Sequence, residues 1–176
     1  MSDAARTAPP AAPPVPRDPV DAIVDQWAAV RPDLDTGPMA VFGRIYRISK
    51  AMGDEMDRVY GRFGIGRGEF DVVATLRRAG APYTLSPRQL SATLMLTTGG
   101  MTGRLDKLEK AGLLTRSPDP HDRRGIQVTI TDTGLALIDE AVGAGVAAQT
   151  RALEGFSGPE LEQLNGLLRK VLHGTP

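Results

Sequence analysis

The residues best suited to chemistry lie between Ser86 and Arg124. Met101, Leu105 and Leu108 follow i, i+4, i+7 spacing, which assigns one face of a helix to a core. The opposite face carries Thr98, Thr102, Arg104 and Lys107. Short hydroxyls near a helix start can meet base edges or phosphates, and long cations further along can reach guanine or backbone oxygens. Ser86, Arg88, Thr97 and Gly99, just ahead of that face, complete its candidate contacts. Gly99, Gly100 and Gly103 weaken a helix, each by up to about 1 kcal/mol relative to alanine. Close approach to a duplex and tight packing explain them equally well. Downstream, Arg123 and Arg124 follow Asp122 within SPDPHDRRG, a spacer of turn residues between two β-branched stretches. A hairpin tip has no core to pack against, so its arginines can enter a minor groove or clamp a phosphate. One of them can instead pair with Asp122 to shape the tip.

Charge supports the same segment. Residues 86–124 hold seven basic and four acidic residues, whereas the whole chain balances 21 against 21. Positive charge is thus concentrated where phosphates would lie. A solvated helix with a polar loop is the simpler alternative for this pattern. The chain has no cysteine, which removes disulfides, thiol catalysis, thiol redox sensing and cysteine-ligated zinc. Two histidines, His121 and His173, are too few for a His-rich metal site, so neither metal nor cofactor is expected. Gly64-Ile65-Gly66-Arg67-Gly68 begins like a nucleotide loop, but Glu69 replaces the third glycine and no strand precedes it; it reads as a helix break. Without a phosphate loop, paired catalytic carboxylates or a histidine near a candidate serine, an enzyme has no support. No apolar run reaches membrane-spanning length and no secretory signal is evident, so a soluble, cytoplasmic protein is expected.

The elements that must position these residues can be read from caps and periodicity. Residues 1–18 are rich in proline and alanine, a composition that predicts a disordered arm. Asp18-Pro19 caps a short helix to about Val30, with Val20, Ile23, Val24 and Trp27 on one face. A long helix is predicted over Met39–Phe63, with Phe42, Ile45, Tyr46, Met52, Met56, Val59 and Tyr60 recurring at helical spacing. A third spans about Arg67–Ala79, with Phe70, Val73 and Leu76 inward. Ser86-Pro87 opens a short helix to about Met95, and Thr97-Thr98 opens another that ends at Gly112. Leu113–Arg116 and Ile126–Thr131 form a hairpin. Two helices follow, the first marked by Leu135, Ile138, Val142 and Val146, the second by Leu161, Leu164, Leu168 and Val171. The fold class is therefore mainly α with a small β-hairpin wing, a winged helix-turn-helix.

At these residues the chain resembles the MarR family of bacterial transcription regulators, over about residues 38–173. The resemblance is carried by Leu105, Leu108, Gly112, Leu113, Leu114 and Arg116, then Asp119, Asp122, Arg123 and Arg124, then Ile130, Thr131 and Gly134. It implies a homodimer knitted by its first and last helices, binding a pseudo-palindromic double-stranded DNA operator, with a wing arginine in the minor groove. The chain then divides into the arm at 1–18, an extra N-terminal helix at 19–36, scaffold and dimerisation helices at 37–80, the winged helix-turn-helix at 81–131, and C-terminal dimerisation helices at 132–176. The extra helix, bearing the chain's one tryptophan, resembles that of the urate-responsive subfamily.

That likeness implies a ligand set of Trp27, Asp71, Arg104 and Arg116, and a repressor released by a small planar anion such as urate. Urate is a flat anion that suits an aromatic ring and guanidinium groups. Because Arg104 also sits on the DNA-reading helix, a ligand that moved it would weaken operator binding. Taken singly, the four have plainer roles. Trp27 would be a core or dimer anchor, Asp71 a surface ion-pair partner, and the two arginines phosphate contacts. Other planar anions or small polycarboxylates would suit the same arginines. A winged helix used only for protein interaction is the competing function, and it predicts no salt-dependent DNA affinity.

Overall fold

The computed structural model describes residues 15–94, 100–120, 122 and 124–175. The arm up to residue 14, Thr97, Thr98, Gly99 and Arg123 lie outside them. The chain divides into two compact units, one ending at Lys50 and one beginning at Ala51.

In the N-terminal unit, α1 (Pro19–Val30) starts as its cap predicts. Asp18 Oδ1 accepts from the Val20 N–H at 2.7 Å, and Asp21 Oδ2 accepts from the Asp18 N–H at 2.8 Å. The first half of α2 (Gly37–Gly61) supplies Arg44, which donates to Asp18 Oδ2 at 2.8 Å and to Asp21 Oδ1 at 2.7 Å. Arg44 and the helix-start N–H groups hold the Asp18 carboxyl below its ordinary range. Val20 is buried against Gly43, where a Cβ would come within 3.0 Å of Val20 Cγ1. Ile23, Trp27, Phe42, Tyr46 and Ile48 remain exposed on the protomer.

The second unit holds the core. The rest of α2 contributes Met56, Val59 and Tyr60 to it, and Tyr60 stacks on Phe70 with ring centroids 3.8 Å apart. The glycine-rich segment is the predicted break. Gly64 has φ 72°, a conformation that favours glycine, and the Gly66 N–H donates to Glu69 Oε2 at 2.8 Å to start α3 (Arg67–Arg78). Then follow β1 (Thr84–Leu85), α4 (Pro87–Thr93), α5 (Met101–Lys110), β2 (Leu114–Pro118), β3 (Ile126–Ile130), α6 (Asp132–Ala152) and α7 (Gly158–Gly174). Leu76, Leu90, Leu108, Leu114, Val128 and Ile138 are essentially sealed from solvent, so α3, α4, α5, the sheet and α6 share one core.

The predicted hairpin, β2 with β3, is present, and β1 extends it to a three-stranded antiparallel sheet ordered β1-β3-β2. Thr84 and Leu85 pair with Thr129 and Val128, and a strand of two residues leaves no period-two pattern to read. Next, α5 begins at Met101, with Gly100 at φ 75° as its cap, and the predicted opening at Thr97-Thr98 lies outside the described residues. Finally, α4 ends at Thr93 and α2 at Gly61, two residues short of the predicted limits.

Candidate nucleic-acid interface

The helix-turn-helix is set by local chemistry. Ser86 caps α4, its Oγ accepting from the Gln89 N–H at 3.2 Å while donating to Gln89 Oε1 at 2.9 Å. Its proton is thus used within the cap, and Arg88, two residues further on, is exposed. At the far end of α5, the Gly112 and Leu113 N–H groups bond the carbonyls of Glu109 at 2.9 Å and Leu108 at 3.0 Å. With φ 71° at Gly112 this is a Schellman turn, which reverses the chain into β2. The Thr131 hydroxyl donates to the Gly112 carbonyl at 2.7 Å and so pins the same turn to the start of α6.

On α5, Leu105 and Leu108 are buried as predicted, while Thr102 and Lys107 are exposed. Lys107 Nζ lies 3.4 Å from Glu69 Oε2, so the carboxylate that caps α3 also faces the cation of α5. Glu69 was not anticipated for this role, although its place three residues after the cap was legible.

Arg104 lies half-buried against α3 rather than pointing outward with Lys107. A Cβ on Gly68 would come within 2.6 Å of Arg104 Nε, so the guanidinium rests on the main chain of the first turn of α3. Asp71 follows Gly68 by three residues on that helix. Only 4% of its surface is exposed, which corrects the picture of Asp71 as a helix-surface group. Among the described residues every buried side-chain nitrogen and oxygen has a hydrogen-bond partner, so this carboxylate is satisfied.

Arg116 is placed elsewhere. It stands on β2 and meets α5 at Glu109, with Nε and Nη2 donating to Glu109 Oε2 at 2.9 and 2.6 Å. Nη1 reaches Asp106 Oδ1 at 2.7 Å. Glu109 and Asp106 lie about 140° and 200° around the helix from Arg104. The structure therefore brings Arg104 to the helix carrying Asp71 and sets Arg116 on the other flank of α5. Trp27 is in the N-terminal unit, on α1, and is 42% exposed. At the wing, the Asp122 carboxylate accepts from the Arg124 backbone N–H at 2.9 Å, shaping the tip through the main chain, and Arg124 is exposed. Among the described residues no helix is long and apolar enough to cross a membrane.

Two helices with a capped first member, a second presenting hydroxyl and cation, and a basic β-wing define a winged helix-turn-helix regulator. Comparison with known proteins agrees: residues 63–125 match the MarR family. The chain is 43% identical over 152 residues to the HTH-type transcriptional regulator PecS of Dickeya dadantii, covering 86% of this chain and 92% of that protein. It is 25% identical over 145 residues to the HTH-type transcriptional repressor YetL of Bacillus subtilis, covering 82% of this chain and 86% of that one. A mutant MarR from E. coli complexed with operator DNA superimposes with TM-score 0.66 at 25% identity, over 78% of this chain and 97% of its own. The chain belongs to the MarR family of transcriptional regulators, not to a family of enzymes.

Proposed function

We propose that the chain is a homodimeric repressor that binds a pseudo-palindromic operator and releases it on binding a small planar anion such as urate. The observation that carries the DNA-binding part is the exposure of polar and basic groups on three successive elements, Arg88 on α4, Thr102 and Lys107 on α5, and Arg124 on the wing. Recognition helices of a two-fold dimer would enter major grooves about 34 Å apart, with the wings at the flanking minor grooves. Kinship with an operator-bound MarR and with a protein named as a repressor supports this role. Dimerisation finds support in each unit separately. The first unit exposes Phe42, Tyr46 and Ile48, and the second exposes Leu167, Leu168 and Leu172 on its last helix.

The effector part draws on Arg104. Its contact with α3, one turn before the buried Asp71, ties the reading helix to a helix of the core. An anion that recruits Arg104 competes with that contact and shifts α5. Arg116 already faces two carboxylates, so it meets a ligand only by exchanging them.

The test uses a duplex selected from a random pool by the full chain. Affinity should fall about a thousandfold or more between roughly 50 and 200 mM salt if six or more phosphates are neutralised. Added urate should then free the duplex. Asp71→Asn should keep operator binding and lose the urate response. Salt-insensitive binding overturns the DNA-binding reading, and operator retention at saturating urate overturns the effector reading alone.

A further inference from the structure

The wing must be held at one angle to the reading helix if both are to meet DNA at once. Two hydrophobic residues anchor its base, since Leu114 and Val128 are fully buried. Beyond them, Ser117 on β2, Arg124 in the turn and Ile126 on β3 are all exposed. A two-stranded ribbon held only at its base is free to twist.

One cluster opposes that motion. Arg116 pairs in register with Val128 in the middle of the hairpin, and its side chain spans back to α5. Its backbone N–H also donates to Glu109, at 3.0 Å to Oε1, so main chain and guanidinium grip the same carboxylate. Glu109 is held from its own side too, because its carbonyl accepts the Gly112 N–H in the turn that ends α5. Asp106, one turn earlier, takes the remaining face of the guanidinium at 2.7 Å. The planar fork of arginine suits this three-point contact in a way that an ammonium group does not. Arg116 also lines an open groove on the wing together with Ser117, Pro118, Arg124, Gly125 and Ile126. The brace therefore ends beside the wing cation proposed to reach DNA.

We infer that Arg116 is a positioning residue for operator recognition: with Glu109 and Asp106 it locks the wing to the reading helix. The inference rests on the operator-binding reading above. It assigns Arg116 a role with no contact to DNA, and it makes two acidic residues on a DNA-facing helix favourable for binding.

Electrostatics alone predicts the opposite for those acids, and this separates the two accounts. Removing a negative charge beside a phosphate backbone strengthens binding to any duplex. If the brace operates, Glu109→Gln weakens binding to the selected operator by roughly fivefold or more, within the coupling expected of residues in one ion-pair network. Binding of the same variant to a scrambled duplex stays equal or tightens. Arg116→Met loses a similar factor on the operator while the slope of log affinity against log salt stays at the wild-type value. Loss of a direct phosphate contact would instead lower that slope by about one. The Glu109→Gln/Arg116→Met double variant should bind no worse than the weaker single variant, since both remove one interaction. A wild-type helical spectrum for each variant and saturable scrambled-duplex binding keep misfolding apart from a lost brace. Operator affinity raised or unchanged by Glu109→Gln, or a slope reduced by Arg116→Met, overturns the inference. Failure of the wild-type chain to bind any duplex with salt dependence overturns the operator reading instead.

Discussion

Gly134 offers the sharpest test of how the core holds the reading helix and wing together. It lies buried in the first turn of α6, beside the turn that joins α5 to β2. A Cβ there would overlap the Leu113 carbonyl oxygen and come within 2.8 Å of Ile130 Cγ1. An ordinary carbon–oxygen contact needs about 3.3 Å or more, so the backbone must move on the order of an ångström. The same Leu113 oxygen accepts the Thr131 N–H at 3.1 Å, and this bond stretches with it. Overpacking costs about 1–3 kcal/mol and the weakened hydrogen bond about 1 kcal/mol, while helix propensity returns about 1 kcal/mol. Gly134→Ala should therefore lose about 2 kcal/mol. In urea melts followed by circular dichroism at fixed protein concentration, that is a midpoint lower by roughly 1 M for a slope near 2 kcal/mol/M. Gly143→Ala is the internal comparison. It lies on the same helix with nothing within 4 Å of its Cβ, so it should gain up to about 1 kcal/mol. Equal midpoints for the two variants would refute the packing argument.

Three further outcomes follow from other parts of the molecule. Replacing Arg88, Lys107 or Arg124 singly by alanine should weaken every duplex alike and lower the salt slope by about one each, read from binding isotherms at several salt concentrations. Ser86→Ala should cost about 1 kcal/mol in the same urea melts, and Ser86→Asn should recover most of it, because asparagine also caps. The carboxyls of Asp18 and Asp21 are both held below their ordinary range, Asp18 first by the Arg44 hydrogen bond and Asp21 first by the Asp18 N–H. Depressed carboxyl values stabilise above the unfolded value, and the stabilisation is lost as pH falls through the folded one. Trp27 emission, which reports on α1, should thus hold steady down to about pH 4 and change below it. Arg44→Met should move that change to higher pH, and an unmoved midpoint would show that Arg44 does not hold the cap.

Much of the scaffold was legible because its signals are local. A cap needs only its own next three residues, so Asp18, Ser86 and the glycine at 112 marked helix ends correctly. The buried stripe of α5 followed from its spacing. What failed depended on contacts between segments distant in sequence. β1 exists only because β3 pairs with it, and its two residues carry no pattern of their own. The plainer reading of Asp71 as a surface ion-pair partner also failed, because residues 71–76 span more than a full turn and are all buried, so α3 is covered on every side there.

The same division runs through the candidate site. By itself the sequence determined that a basic helix-turn-helix with an arginine-bearing wing is present, since residue type and helical period suffice for that. Only the tertiary structure decided what each arginine faces. The left-handed turn at Gly112 folds β2 back along α5, which delivers Arg116 to Glu109 and Asp106. Gly68, lacking a side chain, admits Arg104 to the surface of α3. Two arginines grouped by residue type and motif thus lie on opposite flanks of one helix, because a guanidinium's partners are set by which chains are packed beside it.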